Sequence, residues 1–148
     1  MIEFLFFLHI LFFVFSFAFT AGLSIFADRL TRTADAKTIH AVYSAILPLS
    51  IAGGVGWILT GVIGAALAGA YGMDMTAPWL LGTYVVFAVL LLDGFLLHLP
   101  WQRKVIAASV SPGPELEGLL HAPIHRVASG VSAVSILILV YLMTARPG

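Results

Sequence analysis

The chain has 148 residues, of which 61% are hydrophobic and 9% charged. Soluble domains carry about 25% Asp, Glu, Lys and Arg, so seven basic and seven acidic residues cannot clothe a water-facing surface, and lipid is expected to cover most of the chain. The zero net charge argues against a nucleic-acid partner, which would need a basic patch; the apolar excess excludes disorder, and the lack of cysteine leaves His, Met and carboxylates for any metal or haem chemistry.

A helix crossing the hydrocarbon core needs about 20 consecutive apolar residues, and four such runs occur. The first, Phe4 to Ala27, is interrupted only by His9, Ser16, Thr20 and Ser24. It lacks the basic start of a signal peptide and exceeds its apolar length, so a true span is expected. His9, Ser16 and Thr20 are spaced i, i+7 and i+11, which places them on one helical face. Asp28 to Lys37 then leads to the second run, about Val42 to Ala70. There Ala52, Gly56, Thr60, Gly64 and Ala68 recur every fourth position, a ridge of small residues that lets a neighbouring helix approach closely. Pro48 is expected to kink this helix.

The turn Tyr71 to Pro78 contains Met73 and Met75, and the third run, Trp79 to Leu99, contains Asp93. In the connection Pro100 to His121, a short surface helix is expected over Gln102 to Val110, ended by Ser111-Pro112-Gly113-Pro114. The fourth run is Val127 to Ala145, and His125, Ser129 and Ser132 share one of its faces at i, i+4 and i+7. The expected fold is therefore all-α: an integral membrane four-helix bundle with four transmembrane helices (about 4–27, 42–70, 79–99 and 127–145) in one domain covering 1–148.

Arg29, Arg32, Lys37, Arg103, Lys104 and Arg126 fall on one side of these spans, and only Arg146 on the other. The positive-inside rule makes the first side cytoplasmic. Loops 1–2 and 3–4 are then cytoplasmic and both termini lie on the outer side, as expected of a bacterial inner-membrane protein.

Five histidines are the main chemical signal. His40, His98, His121 and His125 lie near the basic side, and His9 towards the other. Asp93 falls about 9 Å inside the span at ~1.5 Å per residue, where a carboxylate must be paired, protonated or functional. Arg126 is its first expected partner. Three readings of this cluster stand side by side. Histidines from different helices could ligate haem b, with Asp93 and Arg126 holding a propionate or a proton path; His9 and His125 are then the leading ligands and His40 and His98 the next. His121 and His125, spaced H-x-x-x-H, could bind a divalent metal together with His40 or His98, although Pro123 lies between them. Interfacial histidines could instead simply reach solvent. On the outer side, Met73, Met75, His9 and Met143 offer thioether and imidazole ligands of the kind that suit copper.

Leu8-His9, Ala21-Gly22-Leu23, His98-Leu99-Pro100 with Arg103, and the ending Tyr141-Leu142-Met143-Thr144-Ala145-Arg146-Pro147 resemble the small integral membrane proteins related to the copper-resistance D and HemJ families. The resemblance extends weakly over all four spans. It implies a four-helix membrane bundle with a histidine in the first span, matched by His9, and an Arg approximately matched by Arg29. For HemJ-type relatives it implies haem b and a membrane oxidoreductase that oxidises protoporphyrinogen and passes electrons to the respiratory chain. The chain departs from that pattern in lacking the Trp before Ala-Gly-Leu, the Leu-Pro-Arg-Leu sequence and the Asn-Glu-x-Pro lead-in to the last span, where it reads Ala122-Pro123-Ile124-His125.

These signals together favour a polytopic membrane protein that binds haem b or a metal through bundle histidines and takes part in membrane redox chemistry. Its expected partners are the lipid bilayer, a quinone or the respiratory chain, and membrane subunits or further copies of itself. The alternatives are an accessory subunit packed against a larger membrane complex and a small metal or proton transporter.

Overall fold

The computed structural model describes residues 1–147. Its helices are α1 (Ile2–Thr31), α2 (Ala36–Ala70), α3 (Pro78–Val110), the short α4 (Pro114–Leu120) and α5 (Pro123–Ala145). α1, α2, α3 and the α4–α5 unit are each long and apolar enough to cross a membrane.

Local chemistry sets the helix starts. Asp35 caps α2 by accepting a hydrogen bond from the Thr38 backbone N–H at 2.8 Å. Pro78, Pro114 and Pro123 open α3, α4 and α5, where a missing N–H costs nothing. α2 ends in a turn in which Gly72 takes φ +64°, a conformation open to glycine without strain. Because the long helices alternate in direction, Met1 and Ala145 lie at the end opposite Arg29, Arg32, Lys37, Arg103, Lys104 and Arg126.

Two features differ from the sequence reading. The helices outrun their apolar stretches: α1, with 30 residues, is about 45 Å long at ~1.5 Å per residue, well beyond a hydrocarbon core of about 30 Å. α2 holds Pro48 inside one helix, in keeping with a single second span. α3 continues through Pro100 to Val110, so Gln102 to Val110 is its last part and not a separate surface helix. Just before Pro100, Gly94–His98 forms a π turn, and a second π turn, Ala18–Gly22, interrupts α1. In such a turn the backbone bonds i to i+5, as from the Leu99 N–H to the Gly94 carbonyl. Widening the helix there accommodates a proline, which cannot donate to the ordinary ladder.

α1 packs along α2 and α3 along α5. The small-residue ridge serves the first pair. A Cβ on Gly56 would meet Ser16 Oγ and one on Gly64 would come 2.8 Å from His9 Cε1, so only glycine permits this approach. Gly53 joins the ridge against Phe19 and Thr20, whereas Ala52 is exposed. Ser16 and Thr20 bond back to carbonyls of α1, at Phe12 and Ser16 respectively, both at 2.6 Å.

Two cores follow. One, of Trp57, Leu90, Ile136 and Leu139, lies among the spans. The other, at the basic end, joins Ala27, Ile39, Tyr43, Ile46, Trp101 and Val105 to Leu116 of α4. His40 belongs with this second core, its Nδ1 3.0 Å from Ser109 Oγ and 3.2 Å from the Ile106 carbonyl.

Candidate functional site

Between the two cores lies a cavity of about 350 Å³, lined by α1, α2, α3 and α5. Trp57, Leu90 and Ile136 form its apolar end; Asp28, Ser50, His98, Gln102, Ser129 and Ser132 form the other. Ile25, Phe95 and Leu137 line it and are also exposed on the outer, lipid-facing surface, so the cavity opens sideways between helices. Both π turns border it, contributing Thr20 and Ala21 from one and Gly94, Phe95 and His98 from the other.

At the polar end four ionisable side chains form two pairs. Asp93, only 5% exposed, has Oδ2 3.3 Å from His98 Nε2 and accepts a 2.5 Å hydrogen bond from Ser132 Oγ. Asp28 accepts from the Tyr43 hydroxyl at 3.1 Å through Oδ1, while its Oδ2 lies 3.4 Å from His125 Nε2. The pairs meet where the His98 and His125 rings touch edge to face, centroids 5.5 Å apart. His125 is held by its stack on Trp101, at 3.6 Å and 6° between planes. The Trp101 indole is itself fixed by donating to the Leu119 carbonyl at 3.0 Å.

Buried polar atoms nearly always have partners, yet four here have none among the described residues: Asp93 Oδ1, His98 Nε2, Gln102 Oε1 and His125 Nδ1. His98 Nε2 is within ion-pair distance of Asp93 without the alignment of a hydrogen bond. All four atoms belong to this one site, and His98 and Gln102 line the cavity. Such a set is equipped to bind a polar head group or to pass protons, and its apolar floor can hold a hydrophobic body.

The residues singled out by sequence separate into different places. Asp93, His98 and His125 come together. Arg126 does not join them: it is exposed and makes no ion pair with Asp93. One residue along a helix is a turn of about 100°, so once His125 faces inward its neighbour faces out. His121 is also exposed, its Nδ1 3.0 Å from the Glu117 carbonyl, and the helix breaks between it and His125. The shared helical face that H-x-x-x-H would need is therefore absent. Met75, in the α2–α3 turn, is exposed, and its sulfur lies 3.8 Å from the Tyr84 hydroxyl; Met73 lies in the same turn. Among the described residues no three His, Asp or Glu side chains are grouped to hold a metal ion.

His9 is turned into α2, Nδ1 3.0 Å from the Thr60 carbonyl. That contact is of the kind that orients a ligating imidazole. A second imidazole facing it across a macrocycle is not provided: His125 is at the other end of the bundle, and Gly64 closes tightly on His9. The residues present thus fit one side of a haem site and not a two-histidine site.

Asp28, Tyr43, Trp101 and Gln102 escaped the sequence reading. Asp28 carried a usable signal, since it follows Ser24 by four residues and continues the polar face of α1. Trp101 and Gln102 lie past the third apolar run, so their place in the site depends on α3 continuing through Pro100, and Tyr43 lies inside the second run, where nothing in the sequence marks it apart.

The fold and site define an integral, polytopic membrane protein of the four-helix type. No family model, no curated protein and no solved structure matches the chain.

Proposed function

We propose that the protein acts in membrane redox chemistry by binding a lipid-soluble molecule with a hydrogen-bonding ring head, of the quinone class, in the side-opening cavity. The observation that carries this reading is the set of four unpartnered buried polar atoms gathered beside an apolar cavity. Leaving each unmade costs about 1–3 kcal/mol, a penalty that a ligand carrying donors and acceptors removes. The apolar end receives the tail, and the lateral opening admits a molecule already dissolved in the bilayer. The positive-inside rule puts the polar end on the cytoplasmic side of the inner membrane.

Trp57 lines the cavity and supplies the test. Titrating a short-chain quinone into the full chain in nanodiscs is expected to quench its fluorescence saturably, and to lose that component in Trp57→Phe. Quenching that rises linearly with quinone, as for partition into lipid alone, rejects the reading.

The orientation of His9 on Thr60 favours a second reading, in which His9 is one axial ligand of a haem b contributed to by another chain. Purified protein would then show a Soret band that shifts on reduction and weakens in His9→Ala. No such band after expression with haem precursor rejects it.

A further inference from the structure

We propose that Asp28, His125, His98 and Asp93 form a proton path from the basic end of the bundle to a carboxylate buried among the spans. The path stands on these four side chains whatever occupies the cavity. A carboxylate stands at each end, 3.4 Å and 3.3 Å from its imidazole, and the two imidazoles meet in the middle. Burial grades along it: the Asp28 side chain is 39% exposed, whereas that of Asp93 is 4% exposed and cannot exchange protons with its surroundings directly.

In two ion pairs of purely structural purpose the remaining buried polar atoms would be expected to have partners of their own. Here His125 Nδ1, His98 Nε2 and Asp93 Oδ1 are all buried and unpartnered. The two nitrogens are the atoms from which the relay hands its proton on, since a proton arriving at one imidazole nitrogen leaves from the other. The groups facing the line come from each packed helix. α1 supplies Asp28, α2 supplies Tyr43 on Asp28, α3 supplies His98 and Asp93, and α5 supplies His125 with Ser132 on Asp93.

The transfer balances without electrons. A proton taken from water by Asp28 passes to His125 Nε2, and the imidazolium releases its other proton from Nδ1. This passes to His98 Nδ1 where the two rings meet edge to face, and His98 Nε2 gives its proton to Asp93 Oδ2, 3.3 Å away. Each imidazole ends neutral, and one proton has moved from solvent to the Asp93 carboxylate.

The test is a pH jump on the full chain in nanodiscs, followed by the infrared C=O stretch of the protonated carboxyl. Asp93→Asn identifies the band by removing it. His125→Phe, which keeps the ring on Trp101, and Asp28→Asn, isosteric at a part-exposed position, are each expected to slow its rise by about tenfold or more with the final amplitude unchanged. Asp28→Asn keeps the test decisive should His125→Phe fail to fold. A rise as fast in Asp28→Asn as in the parent chain overturns the path, as does an Asp93 carboxyl that shows no band at any pH.

Discussion

Asp93 and His98 stand five residues apart in the sequence and 3.3 Å apart in the structure. In a regular α-helix that spacing turns two side chains about 140° away from each other. The π turn Gly94–His98 takes up the extra residue and brings them onto one face. A backbone irregularity therefore makes the pair, and the pair furnishes the polar end of the cavity.

Breaking that pair from its two sides is expected to have unequal effects. His98→Ala leaves the Asp93 charge buried without an imidazole and should cost about 3 kcal/mol or more, whereas Asp93→Asn removes the charge, can still bond Ser132, and should be near neutral. Thermal unfolding in detergent measures both, and the double variant should recover most of the His98→Ala loss. Equal losses in the two single variants would show that charge is not what the site manages.

The α1–α2 seam is expected to respond to single methyl groups. Gly56→Ala forces a Cβ onto Ser16 Oγ in a fully buried position and should destabilise by about 1–3 kcal/mol. Gly69→Ala, in the same helix with nothing within 4 Å, should be neutral or stabilise by up to about 1 kcal/mol. The two melting temperatures, compared side by side, check whether close approach or propensity rules here.

Asp35 makes the first turn of α2 sensitive to acid. Hydrogen bonds from Thr38 hold its carboxyl below the usual 3.8. A carboxyl lowered on folding stabilises the folded chain above 3.8, and that contribution fades as pH falls through the lowered folded value. Amide protection at the start of α2, taken as exchange relative to the intrinsic rate at each pH, should therefore fall below pH 3.8 in the parent chain. Asp35→Asn, which caps without ionising, should lack that pH dependence; exchange with the same pH profile in both would contradict the cap's role.

Much of the fold was legible because bilayer thickness imposes run length. Four apolar runs gave four helices, and the glycine ridge of α2 gave its packing against α1. Helix ends were less legible, since outside lipid a capping Asp35 and a π turn ahead of Pro100 extend helices through residues whose composition reads as loop. Half of the site was legible for the same reason. Asp93, His98 and His125 stood out as polar residues in or beside apolar runs. Their pairing did not, because a periodicity of 3.6 residues separates Asp93 from His98 and counts His125 and Arg126 as equally near. Asp28 lay just past the first apolar run and read as part of a connection.

The central claim is that the side-opening cavity binds a ring-headed lipid-soluble molecule, and covalent mapping tests it most directly. A photoactivatable quinone, irradiated with the full chain in nanodiscs and located by peptide mass spectrometry, is expected to label cavity-lining residues such as Leu91, Phe95 and Leu137. Ala133→Phe, which adds a ring at the cavity wall, should abolish that labelling while leaving the melting temperature unchanged. Label spread over lipid-facing residues of all four spans, and indifferent to Ala133→Phe, would contradict the claim.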